Sequence, residues 1–394
     1  MTYILSNANV YSNGSFSRRD FSIPCDNGID GTVSVDSSKY VIIPGFTDVH
    51  VHFREPGFSY KETIATGSRA AARGGYGTVC TMPNLSPVPD SYANLKQQLD
   101  LIERDGIINI LPFGSITVGE NGKCLSAFEE LAPFVCGFSD DGRGVDDTAL
   151  MREAMQRAKA LGKIISAHCE DGSCVKDSPE AEWREIERDI KLADETGCKF
   201  HVCHISTKES VSLIRDAKAS GVDITCETAP HYLLLTEDDA LDDGRFRMNP
   251  PLRKLDDKNA LVEGICDGTV DMIATDHAPH SAEEKSHGMK SLNGIVGLEC
   301  AFPVMYTEFV KTGIITLEKL ITLMSVAPNE RFGIKSDSFS VFDLNDPFAV
   351  NPDEFATMGR STPFDAKLVY GKNLLTFCNG NVVWKDKNSV FKNL

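Results

Sequence analysis

Six imidazole and carboxylate side chains, far apart along the chain, close short apolar runs: His50 and His52, Asp141, His168, His204 and Asp276. Ring nitrogens and carboxylate oxygens are the donors that Zn2+ takes. A cation held by such a set acidifies water and polarises a carbonyl, which is the chemistry of metal-assisted hydrolysis. In His50-Val51-His52 the intervening valine puts both imidazoles on one side of an extended strand, as two ligands of one ion require. Alone, such a pair reads as two hydrogen-bonded core histidines; four further polar strand ends reverse that reading. Asp140-Asp141-Gly142 alone reads as a turn, yet behind the apolar stretch 134–138 one carboxylate is placed to bridge two cations. His168 in Ala-His-Cys-Glu-Asp and His204 in His-Val-Cys-His each follow a buried-looking run. His201, three residues earlier, is expected to face away from His204 as a core histidine. Asp276, opening Asp-His-Ala-Pro-His, is the natural general acid and base. Pro279 and the lack of any HExxH exclude a helical zinc-protease motif.

The elements that must position these groups follow from apolar rhythm. Short runs at 41–53, 78–82, 107–116, 135–139, 164–168, 200–204, 224–228 and 272–276 alternate with helical spacing at 62–73, 92–104, 148–161, 182–195, 208–219 and 258–266. Eight such βα units predict an α/β chain folded as a (β/α)8 TIM barrel, whose strand ends meet at one mouth. Both chain ends speak hairpin language instead. Asn13-Gly14 lies between apolar residues, Asp26-Asn27-Gly28 precedes an alternating stretch, and Asn379-Gly380-Asn381 separates two more short runs. The expectation is a small composite β domain from residues 1–43 and 335–394, with the barrel at 44–334 inserted between its halves.

Composition narrows the function. Apolar residues at 41% and charged residues at 25% are ordinary globular values. With 40 Lys and Arg against 57 Asp and Glu, the net charge of −17 argues against nucleic acid and anionic membranes as partners. No basic leader or apolar span is evident, so the expected location is the cytoplasm. The 12 cysteines are scattered without a CxxC pair and read as reduced, buried thiols. Gly74-Gly75-Tyr76-Gly77 precedes a strand and lacks the Lys-Ser/Thr of a phosphate loop, and no GxSxG elbow occurs.

Taken in order, Pro44-Gly45-Phe46, HVHFREPG at 50–57, TMPN at 81–84, FSDDG at 138–142, AHCED at 167–171, HVCHIST at 201–207, FRMNPPLR at 246–253, ATDHAPH at 274–280 and GIVGLE at 294–299 resemble the dihydroorotases of the amidohydrolase superfamily. The likeness is to the group in which an aspartate replaces a carboxylated lysine, and it spans essentially the whole chain. It implies reversible hydrolysis of dihydroorotate to N-carbamoyl-L-aspartate, in de novo synthesis of UMP. It further implies two Zn2+ per subunit: His50, His52 and Asp276 on one ion, His168 and His204 on the other, Asp141 and a hydroxide between them. By the same resemblance Arg54, Asn84 and His280 grip the substrate carboxylate and Asn249 meets the ring, with Asn293 and Gly294 completing the substrate contacts. The chain departs from the pattern twice: the segment 171–201 is short, and Asn293 stands where an aromatic residue is expected. A homodimer and an association with aspartate transcarbamoylase are the expected assemblies. The competing readings are a hydantoinase or allantoinase, whose neutral substrates give Arg54 nothing to grip, and an inactive barrel serving as an assembly partner, against which all six filled ligand positions argue.

Overall fold

In a computed structural model the chain is described over residues 2–24 and 32–392; the expected turn at Asp26-Asn27-Gly28 lies outside the described residues. Two parallel runs of strands form the barrel. Phe46–Val51, Tyr76–Thr81 and Asn109–Pro112 pair in sequence. Gly114–Ser115, Phe138–Ser139, Ile164–Ala167, Lys199–Val202, Ile224–Thr228 and Met272–Ile273 form the second run. The runs join twice. Phe113 N donates to Thr81 O at 2.9 Å, making 109–115 one bent strand, and Val51 bridges His277 in parallel. Phe46–Val51 and Tyr76–Thr81 are buried along their whole length, as strands covered on both faces must be.

Helices wrap the outside where the apolar spacing predicts them, at Ile64–Gly74, Tyr92–Asp105, Thr148–Ala160, Pro179–Thr196, Lys208–Ala219 and Leu255–Asp267. Their ends are chemically defined. Thr63 accepts from Thr66 N, and Thr66 Oγ1 accepts in turn from Thr63 N, a reciprocal cap. Ser178 caps the helix that opens with Pro179.

Two strand expectations need correction. The run 41–53 is not one strand: Tyr40–Pro44 belongs to a second sheet, and the barrel strand starts at Phe46. The break is Gly45, whose N–H donates to Ser338 O at 2.9 Å and whose α-carbon lies so close to Ser338 that any side chain would collide. Uniform burial on either side hides that break from periodicity. Likewise 107–116 bends between Pro112, which has no N–H to give, and Gly114.

The second sheet runs in the order Asn381–Lys385, Lys372–Cys378, Phe339–Asp343, Tyr40–Pro44, Thr2–Ser12, Ser15–Pro24, with Thr32–Asp36 parallel to Thr2–Ser12. Asn13-Gly14 and Asn379-Gly380 turn its two hairpins. Its floor meets the barrel through an aromatic cluster: Phe46 lies 5.0 to 5.6 Å, centroid to centroid, from Phe302, Tyr76 and Phe342. Gly75 is needed there, with φ of 93° and the Phe342 ring 2.6 Å from where a β-carbon would be.

Candidate metal centre and substrate cleft

The barrel brings all six expected ligand residues to the C-terminal ends of its strands, and all six are buried. His50 Nε2 lies 3.2 Å from Asp141 Oδ1 and 3.7 Å from Asp276 Oδ1. His52 Nε2 is 3.0 Å from Asp276 Oδ1 and 3.4 Å from Asp141 Oδ2. His204 Nε2 stands 3.6 Å from the same Asp141 Oδ1 and 3.1 Å from His168 Nδ1. Asp141 thus lies within 4.0 Å of imidazole nitrogens of His50, His52, His168 and His204.

Tautomers follow from the outer partners. His50 Nδ1 is 2.7 Å from Glu227 Oε1, so that nitrogen carries a proton and Nε2 is the atom left to bind a metal. His52 Nδ1 is 2.9 Å from Asn84 Oδ1, with the same result. Glu227 Oε2 also meets His201 Nε2 at 3.1 Å. His201 is therefore the core histidine expected, yet it belongs to the support beneath the site. Burial would raise the Glu227 carboxyl, but the His50 and His201 imidazoles hold it far below the usual range. Burial opposes ionisation of Asp141 too, and His50, His204 and His52 overcome it, keeping that carboxylate well below its ordinary value.

These residues fit a metal. His50 Nε2 and Asp141 Oδ1 are buried and face one another at 3.2 Å without a hydrogen bond of acceptable geometry, an arrangement that an ion between them would satisfy. A tetrahedral ion with arms of ~2.0 to 2.1 Å sets its ligand atoms about 3.3 Å apart, close to the 3.0 to 3.7 Å found here. His50, His52 and Asp276 form one group of donors and His50, Asp141 and His204 another.

Backbone geometry tightens the mouth. Arg54, His204 and Asp276 all have positive φ, at 50°, 31° and 47°, a conformation side chains rarely adopt and one that collects at functional sites. Asp140 faces away from Asp141: it accepts from Ile116 N at 2.7 Å and Thr117 N at 3.0 Å and is bonded to the Thr117 hydroxyl. Burial raises its carboxyl to about 6.

The expected substrate contacts divide. Arg54 Nη2 and Nε reach His280 Nε2 at 3.4 Å and Pro279 O at 3.3 Å, and Asn293 O lies 2.7 Å from His280 Nε2. Asn249 Nδ2 is 3.3 Å from His168 Nε2 and from Glu170 Oε2. Asn84 is turned to the ligands, its amide nitrogen 3.4 Å from Asp141 Oδ2. Asn293 Oδ1 is buried without a partner. Burial, with Arg54 and Lys61 beside it, pushes His280 down to about 4, so its ring is neutral and Nε2 donates to Asn293 O.

Sequence reasoning missed the support. Asp48 accepts from His50 N at 3.0 Å and Thr275 N at 3.1 Å, and burial lifts it to about 7. Glu227 had a signal: a carboxylate inside the otherwise β-favouring Ile-Thr-Cys-Glu-Thr strand, a type of burial that demands a partner. Lys61, Glu284 and Lys285 gave none, lying in loops whose partners come from distant loops.

A family model described as Dihydro-orotase-like matches residues 39–183. A protein named dihydroorotase from Fusobacterium nucleatum subsp. nucleatum is 43% identical, with 98% of this chain and 99% of that one covered. Another of that name from Ligilactobacillus salivarius is 41% identical with the same coverage, and one from Bacillus caldolyticus is 44% identical over 89% of each. Among solved structures, L-hydantoinase (dihydropyrimidinase) from Arthrobacter aurescens superposes with a TM-score of 0.85 at 24% identity, covering 97% of this chain and 96% of its own. Dihydropyrimidinase from Brevibacillus agri NCHU1002 gives 0.87 at 20%, covering 99% and 96%. At those identities the structural likeness speaks for the barrel fold alone.

Proposed function

Because the chain belongs to the dihydroorotase family of cyclic-amide hydrolases, we propose that His50, His52, Asp141, His168, His204 and Asp276 hold two Zn2+ ions and that Arg54 anchors the substrate carboxylate. The observation carrying this reading is the convergence of donors on Asp141, with His50 Nε2 and Asp141 Oδ1 buried and unsatisfied. The reaction opens (S)-dihydroorotate to N-carbamoyl-L-aspartate and runs in both directions. Bound there, zinc lowers the pKa of water and polarises the amide carbonyl.

The protein's own groups do the rest. The Asp276 carboxylate, held ionised by His52 and His50 against the cost of its burial, takes the proton of the attacking water and passes it to the departing ring nitrogen, general base and then general acid. Glu227 and Asn84 keep the His50 and His52 protons on Nδ1 and so keep both Nε2 atoms free. Arg54 offers a planar fork that a carboxylate matches with paired hydrogen bonds, supported by His280. Asn249 and Asn293 close on the ring. This reading also covers a place in pyrimidine synthesis, a cytoplasmic location, a homodimer and association with aspartate transcarbamoylase; the full-length identity to bacterial dihydroorotases supports it, and no helix among the described residues is long and apolar enough to cross a membrane.

The test is incubation of the zinc-supplied protein with N-carbamoyl-L-aspartate at mildly acidic pH. Dihydroorotate should form, stop forming when zinc is chelated and resume when it is returned. Turnover of hydantoin without turnover of dihydroorotate would overturn the assignment.

A further inference from the structure

Two consecutive residues outside the ligand set tie together the loops that carry the substrate contacts. Lys285 is 7% exposed, and its ammonium donates to three backbone carbonyls: Gly294 O at 2.7 Å, Leu292 O at 2.8 Å and Arg247 O at 3.0 Å. An ammonium has three hydrogens, and each is met. No carboxylate lies within ion-pair distance of it among the described residues. Burial and the charge of Arg247 lower its pKa to about 8, a penalty that surface lysines escape.

Glu284 faces the other way. Its Oε1 accepts from Lys61 Nζ at 2.9 Å and from Tyr60 OH at 3.1 Å. Its Oε2 accepts from Ser281 N at 3.1 Å and lies 3.1 Å from His280 Nδ1. Lys61 Nζ is also 3.3 Å from His280 Nδ1. One turn of chain therefore grips three segments: 54–61 with Arg54, 247–249 with Asn249, and 292–294 with Asn293. The last is shaped tightly, since Gly294 has φ of 135° and a β-carbon there would come 2.5 Å from Ala278 O and 3.1 Å from the His280 ring, while Gly294 N donates to Arg247 O at 3.0 Å.

We propose that Glu284 and Lys285 are positioning residues that set the shape of the substrate-carboxylate pocket by locking the 54–61, 247–249 and 292–294 segments together. Neither touches the metal ligands, so their loss should weaken ground-state and transition-state binding alike. That signature is a raised KM with kcat nearly kept. The inference rests on the functional reading above.

The experiment measures kcat, KM for dihydroorotate, metal content and Tm in zinc-loaded wild type, K285M, E284Q and R331M. Arg331 is the control: its guanidinium pairs with the Asp223 carboxylate and donates to the backbone carbonyls Phe200 O at 2.8 Å and Asp223 O at 3.0 Å, at the strand starts opposite the mouth. K285M and E284Q should raise KM about tenfold or more, with kcat within about threefold and full metal, whereas R331M should lower Tm at unchanged KM. Wild-type KM in both K285M and E284Q would overturn the proposal, as would a KM increase in R331M that tracks its loss of Tm. If K285M fails to fold, E284Q decides by the same readings. A wild type inactive on dihydroorotate would overturn the functional reading, and this proposal with it.

Discussion

Glu227 Oε1 and His50 Nδ1 lie 2.7 Å apart, both side chains buried, and the same carboxylate reaches His201 through its second oxygen. A single acid on the seventh barrel strand thereby orients a ligand on the first. E227Q should weaken metal retention by about ten to a hundredfold, the usual cost of losing such a support. Chelator competition checks this, and metal affinity equal to wild type would remove Glu227 from the site's design.

Arg54 is expected to grip the carboxylate that distinguishes dihydroorotate from neutral cyclic amides. R54M should keep its metal and lose kcat/KM by about 2 to 4 kcal/mol, roughly thirty to a thousandfold, because a charge-assisted pair is lost and the substrate anion is left unpaired. Steady-state kinetics with metal analysis measures both. Near-normal efficiency would contradict the role.

For Asp276 the expectation concerns the rate. D276N cannot accept a proton, so turnover should fall about 10² to 10⁴-fold in ring opening and ring closure together. Wild-type-like rates in D276N would remove Asp276 from the mechanism.

Glu299, outside the ligand set, gives a pH test of stability. It accepts from Ala356 N at 2.9 Å and Thr357 N at 3.1 Å and lies 3.2 Å from Arg73 Nε, yet burial dominates and raises it from 4.5 to about 7. Between those values the folded chain holds a proton that the unfolded chain has released. Its contribution is therefore full below pH 4.5 and is lost as pH rises through about 7, a change on the order of 3 kcal/mol. E299Q, fixed neutral, lacks this slope. Urea unfolding at pH 4.5 and 7.5 should show wild type losing ground to E299Q at the higher pH; a constant difference would refute it.

The barrel was legible in the sequence because its strands are short apolar runs ending in polar residues, and the helices because their apolar faces recur at helical spacing. The break at Gly45 was not, since burial on both sides leaves no change of period; only Ser338, nearly three hundred residues away, forces it. The six inward-facing groups were legible as types at strand ends. Their supporting partners were legible only in part. Glu227 announced itself as a charge inside a strand, whereas Glu284 and Lys285 look like ordinary loop charges until distant carbonyls are folded onto them. Asn84 shows the limit of motif reading: the residue is at the mouth, but its amide is committed to His52 and Asp141.

Gly45 leaves one residue between the outer sheet and the strand that bears His50 and His52. No slack chain lies between Tyr40–Pro44 of that sheet and Phe46–Val51, which leads directly to His52. Shortening the protein from its ends, to reach a minimal catalyst, would slacken the very wall on which the reaction depends.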